Sequence, residues 1–74
     1  MTQTTTETIE VVVNGSPRRL PRDATLLEVL AALELDPRLV VVEHNRRIVR
    51  RPELGHLRVA PGDAIELVHF VGGG

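Results

Sequence analysis

Residues Thr8 to Val13 form a mainly apolar, β-branched run, and Asn14-Gly15 follows it at once. That dipeptide tolerates the positive φ angles of a tight hairpin turn, so the pattern predicts a strand and its return. The return strand is Ser16 to Leu20, and Pro17 marks it as a sheet edge because proline donates no ladder hydrogen bond. Pro21 to Ala24 reads as a loop. Thr25-Leu26-Leu27-Glu28 then matches the capping box, in which a Thr hydroxyl and a Glu carboxylate satisfy backbone N–H groups at a helix start. Leu26, Leu27, Val29, Leu30 and Leu33, with Ala31, repeat at the spacing of one buried helical face. The helix is expected to end at Asp36-Pro37, since proline disfavours helical geometry in the residue before it.

Val40 to His44 is a second strong strand, and Asn45-Arg46-Arg47 reads as the turn into a short return at Ile48-Val49. Pro52 to His56 reads as irregular. Leu57 to Val59 leads to the Ala60-Pro61-Gly62-Asp63 turn and a last strand from Ala64 to Phe70. One helix between two groups of strands predicts an α+β layer, with the helix packed across one face of a mixed sheet. The expected organisation is a flexible tail over residues 1–7, one domain over 8–70 and a flexible glycine tail over 71–74.

Composition narrows the function by exclusion. A chain of 74 residues with 42% hydrophobic positions has enough apolar side chains for a small packed core. Phe70 is the one aromatic residue and the net charge is −1, so neither stacking platforms nor a positive field for nucleic acid or an anionic membrane is present. Cysteine is absent, which removes disulfides, thiolate nucleophiles and cysteine-held metal clusters. All nine basic residues are arginine, so no lysine side chain is available for acylation. Met1 to Glu7 is Thr-rich and polar, without the basic and apolar segments of a secretory signal. No apolar stretch approaches the roughly 18 residues that cross a bilayer. A soluble, cytoplasmic monomer is expected.

Familiar catalytic patterns are missing as well. The chain has no phosphate-binding loop and no dinucleotide fingerprint. His44, His56 and His69 are spaced unlike local metal motifs, and Ser16, the single serine, has no nucleophile-elbow context. No metal site and no catalytic residue are therefore expected. The feature left over is the ending, an apolar strand that runs into Val71-Gly72-Gly73-Gly74 and a carboxylate. Glycines make such a segment slim, and four extended residues reach roughly 13 Å at about 3.3 Å each.

Val12-Val13-Asn14-Gly15, the helix starting at Thr25, Val42-Glu43-His44-Asn45, Ile48-Val49-Arg50-Arg51, Gly62-Asp63-Ala64-Ile65-Glu66 and Phe70-Val71-Gly72-Gly73-Gly74 occur in this order. Together they resemble the ThiS family, the sulfur carriers of thiamin biosynthesis, over about residues 9–74. The resemblance implies a ubiquitin-like β-grasp fold. It also implies that the protein is a cosubstrate and not an enzyme, and needs no cofactor. By position, Gly74 is the residue that an E1-like adenylating enzyme activates and that becomes a thiocarboxylate. Gly73 is its required neighbour, and Gly72 stands where many relatives have another residue. The implied partners are that E1-like enzyme, a sulfur-donor system of the cysteine desulfurase type, and thiazole synthase as acceptor. Sister carriers for molybdopterin or tRNA thiolation share the fold and the Gly-Gly end, and a β-grasp interaction module shares the fold alone. The Val42 to Asn45 segment and the Phe70 to Gly74 ending favour the thiamin branch.

Side chains alternate faces along the last strand, which places Ile65 and Leu67 on one face and Glu66, Val68 and Phe70 on the other. Ile65 and Leu67 are assigned to the core. Val68, Phe70 and Val71 are then expected to form an apolar patch for a partner, with Glu66 and Arg58 at its rim.

Overall fold

The computed structural model describes residues 7–70. Strand β1 (Thr8–Val13) and strand β2 (Ser16–Pro21) form the expected hairpin, with Val13 opposite Ser16. Asn14 and Gly15 both lie in the left-handed region, at φ 50° and 82°, which matches the twist of the strands they join.

Helix α1 (Leu26–Ala32) starts at Thr25 with both halves of the capping box in place. The Thr25 hydroxyl accepts from the Glu28 N–H at 3.1 Å, and the Glu28 carboxylate accepts from the Thr25 N–H at 2.8 Å. The next two amides are also satisfied, because Leu26 and Leu27 donate to the carbonyls of Leu57 and Leu54. No donor at this helix start is left without a partner.

The helix ends a turn earlier than the sequence predicts. Glu34 turns left-handed at φ 60°, and Leu35 and Glu34 donate to the carbonyls of Leu30 and Ala31. This is the Schellman ending, which usually carries glycine where Glu34 stands. Asp36-Pro37 instead opens a short 3-10 turn (Pro37–Leu39), with the Asp36 carboxylate accepting from the Arg38 N–H at 2.9 Å. The buried helical face is also narrower than expected. Leu26, Val29 and Leu30 are buried and Leu33 is half-buried, whereas Leu27 and Ala31 are exposed.

Strand β3 (Val40–His44) and strand β4 (Arg47–Val49) form a second hairpin through Asn45-Arg46, so Arg47 belongs to the strand and not to the turn. Both turn residues are left-handed, at φ 53° and 72°. Residues 51–53 form a second 3-10 turn, which delivers Leu54 into the core at 2% exposure from a stretch that reads as irregular. Strand β5 (Ala64–His69) completes the sheet.

The strand order is β2-β1-β5-β3-β4, with β1 and β5 parallel at the centre and every other pair antiparallel. This is the mixed sheet with one helix that defines a β-grasp. Ile9, Val11, Val13, Leu20, Val42 and Ile65 share the core with Leu26, Val29 and Leu30 of the helix. The opposite sheet face has no element across it among the described residues.

Candidate functional site

The candidate site is the C-terminal half of β5 and the open sheet face around it. Ile65 is fully buried and Leu67 half-buried against the core, while Val68 and Phe70 are 59% and 52% exposed. Val71, Gly72, Gly73 and Gly74, the other residues expected at the site, lie outside the described residues. Arg58 is not at this rim. Its guanidinium donates to the Asp23 carbonyl at 2.7 Å, in the loop before the helix.

Register fixes what surrounds Val68 and Phe70. Val68 stands opposite Val41, and Glu66 stands opposite Glu43. One step further along, the Phe70 N–H donates to the Leu39 carbonyl at 2.7 Å, so those two residues flank each other as well. Leu39 is 45% exposed, and Ile48, the β4 partner of Glu43, is 69% exposed. The open face is therefore graded along β5. It is apolar where the strand runs out and acidic two rungs back.

Two asparagines hold β5 in place. The Asn14 N–H donates to the Ile65 carbonyl at 2.9 Å as an ordinary rung of the β1–β5 ladder. Its side chain then adds another rung that the backbone cannot make, because the chain has already turned. Asn14 Oδ1 accepts from the Leu67 N–H at 2.7 Å, and Nδ2 donates to the Leu67 carbonyl at 3.2 Å. Asn45 does the same at the other end, where its N–H donates to the Ala64 carbonyl and its Oδ1 accepts from the Ala64 N–H at 2.9 Å. In each case an amide side chain stands in for a missing strand peptide.

Asp63, just before β5, joins the second clamp. Its carboxylate lies 2.6 Å from His44 Nε2, and accepts from the Ala60 N–H at 2.8 Å and from Asn45 Nδ2 at 3.2 Å. Burial pushes the Asp63 carboxyl up, but the hydrogen bonds from His44, Ala60 and Asn45 outweigh it and hold the group below its ordinary range. His44 is thus tied into the turn. His56 and His69 are exposed, and among the described residues no three acidic or histidine side chains converge on a metal position.

The sequence predicts Asn14 and Asn45 as turn formers, and their side-chain rungs to β5 emerge only in the fold. The available signal was that asparagine, and not aspartate, occupies the first position of both turns. Only the amide both donates and accepts.

The sequence profile of the ThiS family matches residues 11–74. The sulfur carrier protein ThiS of Bacillus subtilis is 35% identical over 63 residues, which cover 84% of this chain and 96% of that protein. A protein named thiazole synthase from Paramagnetospirillum magneticum is 36% identical over 66 residues, 89% of this chain but 20% of that protein. Among solved structures, the thiamine biosynthesis protein ThiS of Geobacter metallireducens superposes with a TM-score of 0.77 at 32% identity, over 89% of this chain and all of that one. No helix among the described residues is long and apolar enough to cross a membrane.

Proposed function

Because the chain belongs to the ThiS family, we propose that it is a sulfur carrier for thiazole formation in thiamin biosynthesis and has no catalytic activity of its own. Its working group is the carboxylate of Gly74. The observation that carries this reading is that the family match extends through the triple glycine to Gly74, directly after a clamped strand.

The chemistry follows from the weakness of a carboxylate as an electrophile. An E1-like enzyme joins the Gly74 carboxylate oxygen to the α-phosphorus of ATP, and pyrophosphate leaves. A persulfide from a cysteine desulfurase type system then attacks the acyl carbon and AMP leaves, and a thiol splits the S–S bond of the resulting acyl disulfide, releasing the thiocarboxylate and a new disulfide. The thiocarboxylate so formed gives its sulfur to thiazole synthase. A segment similar to this chain within proteins bearing that enzyme's name supports the assignment of the acceptor.

In this cycle the carrier supplies a handle and a surface. Glycines at positions 72–74 let a narrow active-site channel admit the end of the chain, and Val68, Phe70 and Val71 provide the apolar grip beside it. Incubation with the cognate E1-like enzyme and ATP should form an adenylate on Gly74, and protein purified from its own cells should carry the mass increase of sulfur replacing oxygen. Activation that survives deletion of Gly73 and Gly74 would refute the assignment. Gly72→Ala should be tolerated far better than Gly73→Ala, because the channel is tightest near the reacting carbon.

A further inference from the structure

Glu43 and Glu66 are directly opposite each other on β3 and β5, on the open face of the sheet. Side chains paired in this way stand about 4.5–5.5 Å apart at their Cβ atoms, and like charges there oppose folding. Among the described residues neither carboxylate forms an ion pair, and the lateral neighbour of Glu43 on β4 is the apolar Ile48.

The contrast with Glu10 on the same face is instructive, because Glu10 stands opposite Arg19. By register Glu10 faces a cation, although the Arg19 guanidinium donates to the Thr8 hydroxyl at 3.2 Å and forms no ion pair with it, whereas Glu43 and Glu66 face each other. The Glu43 and Glu66 pair lies two rungs from Phe70 and Leu39, and Val41 and Val68 fill the rung between. A surface that docks here must be apolar towards the tail and positive further back.

We propose that the enzyme that activates the tail inserts an arginine between Glu43 and Glu66 while its apolar surface covers Val68 and Phe70. This rests on the carrier reading above and names the chemistry of the docking partner. Arginine fits better than lysine. Its planar guanidinium has five donors in a rigid fork, enough to bond two carboxylates at once, and it sheds water more readily beside apolar neighbours. The pair also sets register, because a cation held at this rung fixes how far the tail reaches beyond Phe70. At about 3.3 Å per strand residue, Glu66 lies roughly 13 Å back along the chain from Phe70.

The test is steady-state adenylation of the full chain by its cognate E1-like enzyme, with the double variant Glu43→Gln/Glu66→Gln and the control Glu10→Gln. Gln keeps the size and polarity of the side chain and removes the charge. The double variant should melt a few degrees higher than the wild type, yet show a KM for the carrier raised about tenfold or more, with kcat retained and the dependence of KM on salt flattened. Glu10→Gln should leave KM unchanged. An unchanged KM in the double variant, or an equal rise in Glu10→Gln, overturns the docking proposal while wild-type adenylation on Gly74 leaves the carrier assignment standing. A wild-type chain that is not adenylated overturns both.

Discussion

Replacing Asn14 by glycine separates two jobs done by one residue. Glycine accepts the left-handed φ of 50° without strain, so the β1–β2 turn keeps its shape while the amide is removed. What is lost is the pair of hydrogen bonds to the Leu67 backbone, at 2.7 and 3.2 Å. A typical internal hydrogen bond adds about 0.5–1.5 kcal/mol net. Both bonds here are solvent-exposed, so water can replace the amide and no buried group is orphaned. The lower half of that range applies, and the two together contribute about 1–2 kcal/mol. In a domain of this size each kcal/mol moves the melting temperature by about 4–8 °C, which makes the loss easy to detect. The decisive measurement is amide hydrogen exchange at two adjacent positions. The Leu67 N–H points at Asn14 and should exchange faster in the variant, whereas Val68 pairs with β3 and should lose less protection. Asn14→Asp should fall between the two, since it keeps the acceptor for Leu67 N–H and loses the donor. If Leu67 keeps its full protection in Asn14→Gly and melting is unchanged, the side-chain rung does not hold β5 and the clamp account is wrong.

Leu30 is 1% exposed in the middle of the helix face, and Leu30→Ala should cost about 2–5 kcal/mol, enough to unfold much of a marginal domain; an unchanged urea midpoint would show the face misassigned. Phe70→Ala should leave the melting temperature near that of the wild type and weaken binding to the activating enzyme, because the ring is 52% exposed; a collapsed fold would place it in the core. Asp63 has a folded-state pKa below its unfolded value near 3.9, so its contribution is present above that value and is lost as pH falls through the folded one. Stability should therefore decline on acidification below about pH 4, and Asp63→Asn should both lower stability at neutral pH and flatten that decline in acid-titrated melts. The half-buried Asp36, lowered to about 2 chiefly by its hydrogen bonds with Arg38, should still titrate in the Asp63→Asn variant, in carbon-detected NMR.

The parts legible in the sequence are those written in local chemistry. Asn14-Gly15 specifies a hairpin by conformation alone, and Thr25 to Glu28 specifies a helix start by two reciprocal hydrogen bonds. The alternation along β5 separates Ile65 from Val68 because the strand period allows only two faces. What was not legible depends on partners remote in the chain. The helix stop at Ala32 uses Glu34 where glycine would have announced it. Leu54 reads as part of an irregular stretch and is core only because the 3-10 turn brings it under the helix start. The Asn14 amide meets a backbone 53 positions away, a distance over which no local pattern carries information. The facing of Glu43 and Glu66 likewise needs a register that only the folded sheet supplies.

The position of β5 has a consequence for synthesis. It is the last strand in chain order and the middle strand of the sheet, so the two hairpins on either side of it have no common ladder until it arrives. Such a topology defers closure to contacts of high sequence separation, which form late and slowly. A chain released from the ribosome before residue 64 lacks the keystone strand, and its hairpins expose unpaired edges. A product that stops before residue 64 therefore lacks both the strand that joins the hairpins and the Val68 and Phe70 surface that strand carries, and is left open to proteolysis.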